Sequence, residues 1–277
     1  MRYDRRMLMS EPMLALSTGG ALGGAALAVA VLMIGTWLVS LALTNASIVD
    51  ITWGLGFVVV AWVSALRSEG SAGPASLIVA MITLWGVRLG AYLFWRNHGK
   101  GEDYRYVAMR RHWGKRFWII SLGTVFGLQG VLMWVVSLPV QVAHVGDFRD
   151  SALSSALVVI GAALYVLGLG FEVIGDLQLA RFKANPANDG KVMRVGLWRF
   201  TRHPNYFGDA CVWWGVGLVA LSVTGTWWAL IGPLVMNVLL VRVSGVALLE
   251  RSLRKRKPDY EEYVRTTSAF VPRPPRG

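Results

Sequence analysis

Residues 152–172 read ALSSALVVIGAALYVLGLGFE, an apolar run of 21 positions in which the first charged side chain is Glu172. As a helix rising 1.5 Å per residue, a run of that length covers about 30 Å, the thickness of a bilayer's hydrocarbon core. In hydrocarbon a backbone must satisfy its own hydrogen bonds, so only helices and closed barrels cross it, and this run is too long for a barrel strand. Working outward, comparable runs lie at 19–43, 48–66, 74–95, 117–139, 206–222 and 226–249. The short links at 44–47 and 224–226 predict tight helical hairpins. The predicted fold class is therefore all-α, a polytopic integral membrane protein built as a seven-transmembrane-helix bundle.

Composition points the same way: of 277 residues 55% are hydrophobic and 16% charged, with 13 Trp and a mean hydropathy of +0.48. The 28 Lys and Arg against 16 Asp and Glu are distributed between apolar blocks, and no nucleic-acid-binding signature interrupts them. Their placement fits the positive-inside bias of membrane loops instead. With seven spans, 21 basic residues fall on the side of the loops 96–116 and 181–202 and the tail 251–276, against 5 on the other. The C-terminus and both long loops are thus expected to be cytoplasmic. Arg2, Arg5 and Arg6 ahead of the first run imitate a signal peptide, but the run is too long and lacks a small-residue cleavage site, so it is read as a retained span. The single cysteine, Cys211, excludes an intrachain disulfide and a multi-cysteine metal site, and no metal is expected.

Polar chemistry concentrates at 201–209, TRHPNYFGD, at the mouth of the sixth run. Charged and amide groups at a membrane edge are costly unless they serve a ligand or one another. Pro204, lacking an N–H, suits the first turn of a helix and leaves Arg202 and His203 outside it. Asn205 and Asp209, four apart, share a helical face, and Asn205 both donates and accepts, as recognition of a carboxamide requires. Gly208 is expected to leave room for a flat group, and Tyr206, Trp213 and Trp214 fit an interfacial aromatic belt. Upstream, Glu172 and Asp176 are also four apart, followed by Arg181 and Lys183. Either the helix end frays there, with the basic residues reaching lipid phosphates, or the carboxylates accept from ribose or amide groups while the cations hold phosphates.

The motif HPNYFGD, preceded by GLWRFTR at 196–202 and followed by YEEY at 260–263 and FVP at 270–272, resembles the C-terminal half of the steroid 5α-reductase superfamily, especially its bacterial branch. Sterol C14 and C7 reductases carry a similar His-Pro-Asn-Tyr-x-Gly-Asp run. The resemblance is specific over about residues 160–275. It implies NADPH as cofactor, held by Asp176, Asn205, Tyr206 and Asp209, with Glu172, Lys183, Arg202, His203, Glu250 and Tyr263 as further cofactor-side positions; the family pattern often has Asn where Glu172 stands. It also implies one membrane domain in which 1–139 faces the substrate and 140–277 binds cofactor. Isoprenylcysteine carboxyl and phospholipid N-methyltransferases, which use S-adenosylmethionine, are similar too, with an Arg-His-Pro-x-Tyr-x-Gly run and a Tyr-x-x-Tyr tail. Asp209 after Gly208 and the single Glu250 followed by Arg251 favour the reductase form.

Reducing an enone needs an acid as well as a hydride. The Gln-Glu pair of steroid 5α-reductases is absent, and the nearest analogue is SIVDITWG at 47–54. Asp50 is the candidate catalytic carboxyl, or else a helix-end partner of Arg88; Tyr92 is the alternative proton donor. Arg88 is either that partner or a phosphate ligand, and Arg105, in GEDYRY at 101–106, either pins a cofactor phosphate or sits in a solvated loop. The expected activity is NADPH-dependent reduction of a carbon–carbon double bond in a lipophilic steroid-, isoprenoid- or lipid-like substrate taken from the bilayer. The expected partners are therefore that substrate and membrane lipids, with no nucleic acid. Polar residues gathered at one side argue against a transporter. A non-catalytic lipid- or cofactor-binding protein is the remaining alternative.

Overall fold

The computed structural model describes residues 18–68, 73–145, 148, 151–243 and 245–275; the expectations on Arg2, Arg5 and Arg6 lie outside them. Among these residues six helices are long and apolar enough to cross a membrane, as a polytopic membrane protein requires. The chain divides into two compact units, residues 1–148 and 149–277.

The first unit is built on α1 (Thr18–Ala42), α2 (Ile48–Arg67) and α3 (Pro74–Asn97), each within two or three residues of its predicted span. Its fourth span, Tyr104–Val136, begins well before the predicted 117. It consists of α4 (Tyr104–Trp113), a 3-10 turn, α5 (Phe117–Ser121), a π segment at Leu122–Gly127 and α6 (Leu128–Val136). The polar 104–116 stretch hid its first part, because Arg105 and Arg110 there pair with Asp50, Asp103 and Glu102 instead of marking a loop. The short α7 (Leu138–Ala143) follows and is buried at every position. α2 and α3 run antiparallel in backbone contact: a Cβ on Gly54 would lie 2.7 Å from the Gly86 carbonyl oxygen, and one on Gly86 2.4 Å from that of Gly54.

The second unit centres on α8 (Ala152–Ala184) and α9 (Pro204–Thr224). α8 continues 12 residues past the predicted end at 172, because nothing breaks the helix before the Asn185–Pro186 step. Glycines seven apart on α8, at 161, 168 and 175, meet Gly215, Gly208 and Pro204 on α9 in reverse order, so the helices are antiparallel. Added Cβ atoms on Gly168 and Gly208 would each lie 2.5 Å from the other's carbonyl oxygen. Small residues at this spacing are how helices approach closely where lipid supplies no hydrophobic drive between them. Gly208 therefore serves helix packing, and the space expected beside it for a ligand is filled by the α8 backbone and the Glu172 side chain, 2.9 Å from such a Cβ. Trp213 is likewise fully buried, not part of an interfacial belt.

The seventh predicted run, 226–249, is not one long helix. It forms a 3-10 turn at Trp227–Leu230, α10 (Ile231–Val238) and a π segment at Leu239–Val243, a shorter apolar stretch than the other six. Pro233, which packs over Gly217 of α9, has no N–H to continue a regular helix back through 227–230. Gly245 ends the stretch where a Cβ would sit 1.8 Å from the Leu240 carbonyl oxygen. α11 (Val246–Arg256) and α12 (Tyr260–Thr266) follow.

The glycine seam makes a direct prediction. Gly168→Val or Gly208→Val should lower stability in detergent by about 1–3 kcal/mol or abolish folding, because the two backbones must separate. Gly170→Ala, on the same helix with nothing within 4 Å of its Cβ position, should change stability by less than about 0.5 kcal/mol. Thermal unfolding of the three proteins decides it; equal losses would remove the seam as the cause.

Candidate functional site

The Gly175–Pro204 contact sets the end of α8 against the start of α9, and Asp176 and Asn205 are the next residues along. Asn205 Nδ2 donates to Asp176 Oδ1 at 3.2 Å, while Asn205 Oδ1 accepts from the Tyr206 backbone N–H at 3.1 Å. One amide N–H and one carbonyl lone pair of Asn205 are left over, enough to meet a carboxamide or a ribose hydroxyl. Glu172 and Asp176 stack on one face as their spacing predicts and are both buried, whereas Asn205, Tyr206 and Asp209 are half-buried. The Tyr206 ring lies parallel to the His203 imidazole, with centroids 5.4 Å apart and planes 7° from parallel. Lys183 is exposed, seven residues and about 10 Å of helix beyond Asp176.

Four other predicted cofactor positions have a different role. Arg202 Nε donates to Glu250 Oε1 at 2.8 Å, and the same oxygen meets His203 Nε2 at 3.1 Å. Arg202 Nη1 also donates to the carbonyls of Val264, at 3.1 Å, and Thr267, and the Tyr263 hydroxyl donates to the Trp198 carbonyl. Arg202, His203, Glu250 and Tyr263 are 7%, 1%, 9% and 2% exposed, so they are enclosed by protein. Their hydrogen-bonding capacity goes into fastening the C-terminal tail. Backbone contacts complete the fastening: Arg202 N–H to Ser268 O and Arg273 N–H to Phe200 O, both 2.9 Å.

Burial raises the Glu250 pKa, but the hydrogen bonds from His203 and Arg202 outweigh it and hold the carboxyl at about 2. A carboxyl depressed on folding from about 4.5 contributes stability above its unfolded pKa and loses it as pH falls towards 2. That contribution is on the order of 3 kcal/mol. Glu250→Ala leaves Arg202 buried without its carboxylate, and should cost about 3–5 kcal/mol; Glu250→Gln, which keeps an acceptor, should cost less. Unfolding followed by tryptophan fluorescence between pH 5 and pH 2 should show a steep acid loss in the native chain that is blunted in Glu250→Gln.

In the first unit, Asp50 sits in the first turn of α2 and meets the segment after α3. Its Oδ2 pairs with Arg105 Nη2 at 2.6 Å and its Oδ1 accepts from the Tyr106 hydroxyl at 2.8 Å. Gln129 Nε2 lies 3.4 Å from the same phenol oxygen. These contacts come from Arg105 and Tyr106, where the sequence pointed to Arg88. Arg88 and Arg96 flank the Tyr92 ring at 5.6 and 5.9 Å. Arg105, bonded to both Asp50 and Asp103, is committed to the protein's own carboxylates, not held ready for a phosphate. The 101–106 segment is not a solvated loop: Asp103 N–H donates to Ser47 Oγ at 2.6 Å, and Glu102 accepts from Ala46 N–H at 2.7 Å while pairing twice with Arg110. Tyr106, 5% exposed, is the functional candidate that sequence spacing missed, since 56 positions separate it from Asp50.

Comparison with known proteins assigns the chain to a family. An 82-residue stretch, 30% of this chain, is 29% identical to 3-oxo-5-alpha-steroid 4-dehydrogenase 1 of Bos taurus; the match spans about a third of that protein's length, 31%. No solved structure matches the chain. A family profile described as protein of unknown function, DUF1295, matches residues 36–267, and the chain belongs to that family.

Proposed function

We propose that this protein is an NADPH-dependent membrane reductase of an activated carbon–carbon double bond in a lipophilic substrate. The observation that carries this reading is the partial similarity to a bovine steroid dehydrogenase, combined with the hydrogen-bonded Asn205–Asp176 pair at the junction of α8 and α9. NADPH, when bound, would supply the hydride. Asn205 and Asp176 would orient its carboxamide and ribose, with Tyr206, Asp209 and Glu172 around them. Tyr106, ordered by Asp50 and Gln129, would supply the proton that completes the reduction. In the same reading the chain crosses the bilayer seven times. Glu250 bonds to Arg202 ahead of α9, so residues 225–249 must travel back the length of α9, and the basic loops and tail lie on the cytoplasmic side.

Purified protein in detergent should bind NADPH more tightly than S-adenosylmethionine. Asn205→Ala should weaken NADPH binding at least about tenfold, measured well below its unfolding temperature because the lost hydrogen bond to buried Asp176 should itself cost about 1–3 kcal/mol of stability. Preferential S-adenosylmethionine binding would turn the assignment to a methyltransferase, and binding of neither would leave a non-catalytic protein.

Tyr106→Phe should lower NADPH oxidation with an enone lipid by about 10²–10⁴-fold and leave NADPH affinity intact. Tyr92→Phe should leave turnover within a few-fold of the native rate. The reverse ranking in a stopped-flow assay would return the proton donor to Tyr92.

A further inference from the structure

A cavity of about 350 Å³ in the first unit is lined by neither Asp50 nor Tyr106. Ile48 and Ile51, from the first turn of α2, and Phe94, from the last turn of α3, form its apolar side. Asn97, the last residue of α3, and His98 and Lys100, from the turn that follows it, form its polar side. The apolar residues belong to candidate membrane spans and the polar ones to the last position of α3 and the link beyond it, so the cavity is amphipathic along the direction in which the helices leave the bilayer. Gly99 adopts φ 72°, a conformation that favours glycine, and the turn it allows closes with Lys100 N–H on Asn97 O at 3.0 Å.

The charges around the cavity are unequal. Asp103, on its wall, is paired with Arg105, and the neighbouring Glu102 is paired with Arg110. Burial raises the pKa of both carboxyls, but these arginines outweigh it and hold both below the ordinary range. Lys100 makes no ion pair among the described residues, which leaves its ammonium as the uncompensated charge of the wall. Arg96 Nε donates to Asn97 Oδ1 at 3.1 Å, which fixes the amide with its Nδ2 group left as a donor.

We propose that this cavity binds a phosphate group carried on an apolar body. Lys100 and the Asn97 amide nitrogen, with His98, meet the phosphate oxygens, while Ile48, Ile51 and Phe94 cover the apolar portion. An ammonium and an amide in one mouth offer N–H groups to an anionic oxygen acceptor, and the tetrahedral oxygens of a phosphate can receive them from more directions than the coplanar pair of a carboxylate. A lipid headgroup and a soluble phosphate compound share this chemistry.

The test uses the full chain in nanodiscs of mixed phosphatidylglycerol and phosphatidylcholine, released for native mass spectrometry, with inorganic pyrophosphate as the soluble competitor. Phosphatidylglycerol should be retained over phosphatidylcholine, about tenfold less in Lys100→Ala, and restored in Lys100→Arg. Ile51→Trp, which fills the cavity without changing a charge, should also remove it, and guards against a Lys100 variant that fails to fold. Retention that resists pyrophosphate identifies a lipid headgroup, and displacement or direct binding of pyrophosphate identifies a soluble phosphate compound. Equal retention of both lipids in the native chain and in Lys100→Ala, with no binding of pyrophosphate, overturns the proposal. Asn205→Ala should leave the retention unchanged, so failure of the cofactor reading would be seen separately.

Discussion

The backbone contact at Gly168 and Gly208 is the constraint on which the second unit depends. With each glycine's missing Cβ occupied by the other helix's carbonyl oxygen, 2.5 Å away, neither helix can slide or rotate without a clash. The register set there carries along the seam to Gly175 and Pro204, and so decides that Asp176 faces Asn205 and not a residue one turn away. A hydrogen-bonding pair at a helix junction is thus positioned by residues that have no side chain. Placing the pair on two packed helices, instead of a loop, holds its geometry rigidly.

Around that junction the protein divides its charged residues between two tasks. Arg202, His203 and Glu250 lie next to Asn205 in sequence or space, yet they are enclosed and satisfied by each other and by tail carbonyls. A buried arginine is tolerable only when its donors are met, and Glu250 with the Val264 and Thr267 carbonyls meets them. The consequence is a tail held at the start of α9, which is why a His-Pro motif and a Tyr-x-x-Tyr segment more than 50 residues apart belong to one structural unit. Asn205, Tyr206 and Asp209 are only half-buried and take no part in that fastening.

The first unit uses ion pairs in a comparable way at the start of α2. Asp50, Ser47 and the Ala46 amide each engage the 102–106 segment, converting what reads as a polar loop into the beginning of the fourth span. The same pairs neutralise Glu102 and Asp103, so the net character of the neighbouring cavity is cationic even though the local sequence is mixed. The sequence read Asp50 as chemically important and misassigned its neighbours. Helical spacing along α3 suggested Arg88 and Tyr92, whereas the residues that arrive come from the next element, Arg105 and Tyr106.

Apolar run length alone determined that this chain is helical and built for a bilayer, because the hydrogen-bonding demand of a backbone in hydrocarbon leaves few alternatives. It located α1, α2, α3 and α9 to within about three residues, since hydrophobicity is a local property. The i, i+4 stacking of Glu172 on Asp176 was legible for the same reason. Run length failed where polar residues continue a helix, at 104–116 and 173–184, and where Pro233 and Gly245 break an apolar stretch. Only the tertiary structure decided which members of the Arg202–Asp209 run are spent on the tail and which face outward, and which tyrosine meets Asp50. Those outcomes depend on contacts between residues dozens of positions apart, and on glycines whose effect is the absence of a side chain, neither of which has a local signature in sequence.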